Sequence, residues 1–131
     1  MNVPFAIFIG AGVGGIARYG VGRLIPRAHT GDWPLSTLLI NLGGCLLIGF
    51  LLPWLGRLSA PEWVRAGVLV GVLGGFTTFS AFGRETFDLI AAGRTPAAVA
   101  YVLASNAVGL LLVWAGHAAA NLVAPIPAAG S

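Results

Sequence analysis

The sequence has very little charge. Only 8% of its 131 residues are Asp, Glu, Lys or Arg, against about 25% in ordinary soluble domains, whereas 57% are hydrophobic. All seven basic residues are arginines scattered singly along the chain, which excludes the basic stripe of a nucleic-acid-binding protein. The single cysteine, Cys45, excludes an intrachain disulfide and a cysteine-based metal cluster. These shortages predict an integral membrane protein rather than a soluble domain.

Uncharged stretches of the sequence predict four transmembrane helices. A helix that crosses the hydrocarbon layer needs about 20 residues, so four helices leave no extramembrane domain for catalysis on soluble substrates. The first predicted span ends near Gly22, the second runs from Leu35 to about Leu55, and the fourth from Pro96 to about Leu122. The predicted fold is an all-α integral membrane protein, with one four-helix domain of residues 1–124 and a C-terminal tail of residues 125–131.

The connections between the spans carry most of the charge. Ser59 precedes the third span and is a candidate N-cap for its helix. The connections after the first and third spans lie on one side and hold Arg23, Arg27 and Arg94, whereas the other side holds Arg57 and Arg65. Orientation follows the arginine bias of short loops. A bias this weak predicts that the chain inserts in both orientations.

The third span contains residues that form helices poorly. Residues 74–78 (GGFTT) place two glycines and two β-branched threonines together. We therefore predict a helix that is broken near its centre and resumes from Phe79 to about Ile90. Non-helical backbone at this depth is tolerated only where protein or a water-filled cavity covers it, which makes the break a candidate ion site.

Glycine spacing predicts close contacts between the helices. Gly67, Gly71 and Gly75 recur every four residues, as do Gly10 and Gly14. The run from Gly10 also matches the G-x-G-x-x-G pattern of dinucleotide sites, which requires a βαβ unit. The membrane-like segments that follow exclude such a unit, so we interpret these glycines as packing residues.

Polar side chains within the spans are the candidate functional residues. Asn41 lies in an uncharged stretch of the second span and shares a helix face with Thr37 and Cys45. A hydrogen bond between helices is the alternative role for Asn41, since such bonds are common in membrane bundles. We favour a functional role for Asn41 and interpret Cys45 as a packing residue. On the fourth span, Tyr101 and Ser105 are also four residues apart and form a second polar track.

Aromatic and charged residues follow the predicted break. Phe79 and Phe82 are three residues apart, and the positive edges of such rings can stabilise an anion without a full charge. Glu85 comes next, and we expect Arg18 or Arg84 to neutralise it in a structural ion pair.

These motifs together resemble the small bacterial fluoride channels of the Fluc (CrcB) family. Residues 14–19 (GGIARY) are similar to the family's glycine-rich Arg-aromatic motif, and residues 41–44 (NLGG) to its second-span asparagine motif. Residues 74–80 (GGFTTFS) are similar to the third-span signature, and Tyr101 with Ser105 matches the fourth span. Ala81 departs from the signature, which often has threonine there.

The resemblance implies an antiparallel, dual-topology homodimer in the bacterial inner membrane, with two fluoride pores and a structural sodium ion at its centre. It implies that the backbone carbonyls of Gly74 and Thr77 bind the sodium ion. The fluoride pore that it implies is lined by Asn41, Phe79, Phe82, Tyr101 and Ser105. We add Thr37 to this pore as a further hydroxyl donor.

Two other functions fit four short spans. A small proton-coupled multidrug exporter of dual topology needs a membrane-embedded carboxylate, and the first, second and fourth predicted spans contain none. A scaffold subunit has no use for clustered polar groups or a broken helix. The sequence therefore predicts a channel that passively exports fluoride and confers fluoride resistance, with no enzymatic activity and no nucleic-acid partner.

Overall fold

A computed structural model describes residues 1–25 and 33–123. All regular elements in these ranges are helical. The α-helices are α1 (Val3–Leu24), α2 (Leu35–Arg57), α3 (Glu62–Ala66), α4 (Leu73–Phe76), α5 (Phe79–Ala91), α6 (Thr95–Leu103) and α7 (Gly109–Val123). Two π-helical segments, Gly67–Val72 and Ala104–Val108, join α3 to α4 and α6 to α7. The predicted tail of residues 125–131, like Arg27, lies outside the described residues.

Four helical segments are long and apolar enough to cross a membrane. We number them spans 1 to 4, and they are Val3–Leu24, Leu35–Arg57, Glu62–Ala91 and Thr95–Val123. Large apolar side chains on their outer faces, such as Phe8, Leu110 and Leu122, are exposed, which suits contact with lipid rather than water. The prediction of an all-α membrane protein is confirmed.

Glycines allow the spans to pack closely in two pairs. Span 2 lies along α7, and α1 lies along the first π-helical segment and α4. A Cβ atom on Gly49 would overlap the carbonyl oxygen of Val113, and one on Gly14 would overlap that of Val72. The G-x-G-x-x-G run lies inside α1. The interpretation as packing residues is confirmed for Gly10 and Gly14, which contact span 3, but not for Gly12 and Gly15, where a Cβ atom would have no neighbour within 4 Å.

Span 3 changes backbone conformation at Thr77 and Thr78. Helix α4 ends at Phe76, and both threonines are extended, with φ −78° and ψ 160° at Thr77 and φ −151° and ψ 109° at Thr78. The Thr78 Oγ1 then accepts a hydrogen bond from the backbone N–H of Ala81 at 3.3 Å, which caps α5. We call Thr77 and Thr78 the extended pair.

The connection between spans 2 and 3 corrects the predicted helix cap. Pro61, not Ser59, occupies the N-cap position of α3, and no side chain caps that helix. Ser59 has φ 49°, and its N–H donates to the carbonyl of Gly56. Ser59 therefore belongs to the turn that ends α2, because its left-handed backbone reverses the chain there.

Candidate functional site

The Glu85 carboxylate links three spans. Thr37 Oγ1 on α2 donates to Oε1 at 2.8 Å, and the Tyr101 hydroxyl on α6 donates to Oε2 at 2.9 Å. Both donors are shielded, with 6% of Thr37 and 0% of Tyr101 exposed. Each oxygen of the carboxylate is therefore held by a neutral hydroxyl group.

The arginines expected to neutralise Glu85 bind elsewhere, so that prediction is wrong. Arg84 Nε lies 3.5 Å from Asp88 Oδ2, and Arg18 Nη1 donates to the carbonyl oxygen of Thr77 at 3.2 Å. Arg84 precedes Glu85 by one residue, so it lies about 100° away around the helix. Its neighbour on that face is the residue four positions later, Asp88.

A row of aromatic rings continues from the Glu85 cluster. The ring centroids of Tyr101 and Phe82 lie 5.2 Å apart, and those of Phe82 and Phe79 lie 5.5 Å apart. Trp33 packs edge-on against Tyr101 at the opposite end from Phe79, with the two ring centroids 6.0 Å apart. The predicted shared face of Phe79 and Phe82 is confirmed. Phe79 is 82% exposed, so the row runs from a buried phenol to an open phenyl ring.

Two cavities border these residues. One, which we call the polar cavity, has a volume of about 880 Å³. Its polar lining residues include Thr37, Glu85, Arg84, Asp88 and Ser80. The other, which we call the groove, has a volume of about 400 Å³. It is lined by four predicted pore residues and both predicted sodium ligands, namely Asn41, Phe79, Phe82, Ser105, Gly74 and Thr77.

The predicted site residues therefore fall into two groups. Thr37 faces the polar cavity, whereas Asn41 and Ser105 face the groove. Tyr101 contacts a ring from each, because Trp33 lines the polar cavity and Phe82 lines the groove. The Tyr101 ring thus links the two cavities.

Asn41 binds the backbone of the extended pair. Its Nδ2 donates to the Thr78 carbonyl oxygen at 3.0 Å, and its Oδ1 accepts from the Thr78 N–H at 2.8 Å. Thr77 turns back toward α4, and both its N–H and its Oγ1 donate to the Leu73 carbonyl. The partner that a carboxamide inside a span requires is thus a backbone segment of span 3.

Sequence reasoning missed two contacts between spans. The first is the pair of hydrogen bonds that Thr37 and Tyr101 donate to Glu85. An acidic residue within a membrane span indicates that such partners must exist. Arg57, at the end of span 2, donates to the Ala120 carbonyl and to Asn121 Oδ1 at the end of span 4. The sequence offers no signal for the Arg57 contacts, since its partners lie more than 60 residues away.

In the described part of the chain, no three His, Cys, Asp or Glu side chains cluster closely enough to hold a metal ion. Helix α4 ends beside the extended pair, and the last turn of a helix leaves carbonyls without intrahelical partners.

Comparison with known proteins identifies relatives of nearly the same length. Residues 5–117 match the family described as "CrcB-like protein, Camphor Resistance (CrcB)". A Chloroflexus aurantiacus protein named "Fluoride-specific ion channel FluC" is 44% identical over 117 residues, covering 88% of this chain and 93% of the relative. A Coxiella burnetii protein of the same name is 45% identical over 118 residues, covering 88% and 94%. "Fluoride-specific ion channel FluC 2" of Geobacillus kaustophilus is 40% identical over 120 residues, covering 91% and 93%.

Proposed function

This chain belongs to the CrcB-like family, and on that premise we infer that it is a fluoride-specific ion channel, a multi-pass protein of the bacterial inner membrane. The observation that carries this conclusion is the identity of 40–45% to relatives named as fluoride-specific channels, over about nine-tenths of the chain. The matched residues 5–117 reach all four spans. As an ion channel, the protein is not an enzyme.

The channel exports fluoride without a pump. Fluoride enters an acidified cell as neutral HF and dissociates inside. At an inside-negative potential of about 100 mV the field is worth about 2.3 kcal/mol per charge, which corresponds to a roughly 50-fold outward bias. A passive pore therefore suffices for fluoride resistance.

Hydrogen-bond donors replace the water of the fluoride ion along the pathway. Thr37 and Tyr101 are donors at one end, and Asn41 and Ser105 lie at the groove. In the observed conformation the hydroxyl hydrogens of Thr37 and Tyr101 are engaged by Glu85. Conduction through these residues requires the two hydroxyls to exchange the carboxylate for the passing ion.

Phe79 and Phe82 line the same pathway. Their rings lie 5.5 Å apart and both border the groove. A ring edge turned toward the ion offers positive potential without a formal charge. Such an interaction holds a small anion weakly enough to let it leave again.

A second copy of the chain in the opposite orientation completes the groove. Two observations support this antiparallel homodimer. Phe79, which lines the groove, is 82% exposed, and the arginines of the connecting loops are nearly balanced between the two sides. In a two-fold dimer the same surface of each subunit meets its copy, so the extended pairs of the two subunits come together.

The central cation of this dimer is a sodium ion bound by backbone carbonyls of Gly74 and Thr77. Both residues line the groove, and carbonyls of interrupted membrane helices are suitable sodium ligands. Arg18 uses one lone pair of the Thr77 carbonyl, and a carbonyl oxygen has two. The donor set therefore fits a hard cation of low charge.

The exporter alternative has one feature in its favour, because Glu85 is a carboxylate within span 3. The relatives named above are fluoride channels instead. An embedded carboxylate held by two hydroxyls is therefore better explained as part of the fluoride pathway.

Efflux from liposomes tests the proposed function. Purified protein is reconstituted into liposomes loaded with potassium fluoride or potassium chloride, and valinomycin is added to carry the counter-ion. We expect rapid fluoride release and no chloride release above that of protein-free liposomes. Equal rates for the two halides would contradict a fluoride-specific channel, and proton-driven uptake of a cationic drug would favour the exporter.

A further inference from the structure

We propose that Asn41 is a positioning residue for the central cation site, in addition to lining the fluoride pathway. Its carboxamide binds both backbone hydrogen-bonding groups of Thr78. In a continuous helix the Thr78 N–H would donate to the Gly74 carbonyl. Because it donates to Asn41 instead, the Gly74 carbonyl loses this donor. The inference rests on the cation site of the proposed function and identifies a residue of span 2 that controls it.

Asn41 contacts the extended pair through both ends of its amide group. The distances are 3.0 Å from Nδ2 to the Thr78 carbonyl oxygen and 2.8 Å from the Thr78 nitrogen to Oδ1. A carboxamide has the same donor and acceptor as a peptide group. The contact thus resembles one residue pair of a β-ladder, which agrees with the extended dihedral angles of Thr78.

This pairing changes which backbone carbonyls of α4 accept helical hydrogen bonds. In a continuous α-helix the Thr78 N–H would donate to the Gly74 carbonyl, four residues earlier. Here it donates to Asn41 Oδ1. The preceding carbonyl, that of Leu73, accepts from both the N–H and the Oγ1 of Thr77, each at 2.9 Å. Regular helical bonding therefore stops after Leu73, and Gly74 is the first carbonyl that a cation can use.

Gly44 brings span 2 close enough for this contact. It lies three residues after Asn41 on the same face of α2, and a Cβ atom at Gly44 would overlap Cγ2 of Thr77. Arg18 reaches the same segment from α1 and donates to the Thr77 carbonyl. Two neighbouring helices thus hold the segment that carries the proposed cation ligands.

A residue that only lined the fluoride pathway would leave cation affinity unchanged. Removing a group that orients a metal ligand typically lowers metal affinity by about 10–100-fold. Asn41→Leu keeps a similar side-chain volume but has no donor or acceptor for Thr78. We therefore expect this variant to require at least about tenfold more sodium to occupy the site.

The test is the sodium dependence of thermal unfolding of the purified, detergent-solubilised protein. Sodium chloride replaces N-methylglucamine chloride at constant ionic strength, and the sodium concentration at the midpoint of the Tm increase is measured. The variants are Asn41→Leu and Asn41→Ser, whose short side chain cannot reach both atoms of Thr78. Asn121→Leu is the matched control, since it also removes an amide group that bonds between two spans but does not line the groove.

We expect the wild type and Asn121→Leu to share one sodium midpoint, and both Asn41 variants to shift to higher concentration. If Asn41→Leu does not fold, Asn41→Ser gives the answer. Unshifted midpoints in the Asn41 variants would overturn the inference and leave the proposed channel intact. A wild type that sodium does not stabilise would overturn the cation site itself, while fluoride efflux from liposomes would still test the channel separately.

Discussion

The hydroxyl of Tyr101 donates a hydrogen bond to Oε2 of Glu85 at 2.9 Å, and this bond connects span 4 to span 3. Thr37 extends the connection to span 2 through the other carboxylate oxygen. Since these hydroxyls are also the proposed fluoride donors, Glu85 competes with a passing ion for the same hydrogens. We therefore expect changes in this cluster to alter both stability and conduction.

Removing the Tyr101 hydroxyl should weaken both properties. Tyr101→Phe keeps the ring between Trp33 and Phe82 but leaves Glu85 Oε2 without this donor. Glu85 is half-buried and lines the polar cavity, so losing this hydrogen bond costs about 0.5–1.5 kcal/mol. We therefore expect a lower free energy of unfolding in chemical denaturation and slower fluoride efflux. Tyr19→Phe is the control, because Tyr19 is exposed. Normal efflux in Tyr101→Phe would remove this hydroxyl from the fluoride pathway.

The two groove-lining phenylalanines should be necessary for flux but not for folding. Phe79→Ile and Phe82→Ile keep apolar bulk and remove the ring edge, so we expect efflux to fall at least about tenfold while each protein elutes like the wild type in size-exclusion chromatography. Phe87→Ile on the same helix is the control, since Phe87 is 68% exposed and does not line the groove. If the Phe79 and Phe82 variants conduct like the control, both rings are packing residues only.

Helix contact between spans 2 and 4 should depend on the absence of a side chain at Gly49. Gly49→Ala forces a methyl group against the Val113 carbonyl, and overpacking of this kind costs about 1–3 kcal/mol. Gly56→Ala on the same helix is the control, because a Cβ atom there has no neighbour within 4 Å. We expect the Gly49 variant to have the lower Tm. Equal Tm values for the two variants would show that the helices can separate at little cost.

The chain should insert into the membrane in both orientations. A C-terminal tag is expected to be accessible from both sides in cells that express only this protein, because the loop arginines are nearly balanced. Two additional arginines beside the tag provide the control, since they should fix one orientation and abolish efflux when that variant is expressed alone. A single orientation of the unmodified chain would contradict the antiparallel homodimer.

The local composition of the sequence was sufficient to predict the four spans. It placed the predicted break of span 3 at residues 74–78, whereas the structure is helical up to Phe76 and extended only at Thr77 and Thr78. Burial of an apolar segment in lipid depends on the residues of that segment, and poor helix formers act on their own turn of backbone. The spacing of Phe79 and Phe82 likewise predicted their shared face, because helix geometry fixes which residues are neighbours. The cap at Ser59 was predicted wrongly, since a serine before a helix does not reveal its own backbone dihedral angles.

Only the tertiary structure determined the partners of the polar residues. Asn41 was singled out by its place in an apolar span, but its partner Thr78 lies 37 residues away. Glu85 had two candidate arginines, yet Thr37 and Tyr101 hold it, from 48 residues before and 16 residues after. A charged or amide group within a membrane must find a partner, and the sequence establishes that requirement. Which partner it finds depends on how helices distant in sequence pack together, because hydrogen bonds form only where that packing brings donor and acceptor within about 3 Å of each other.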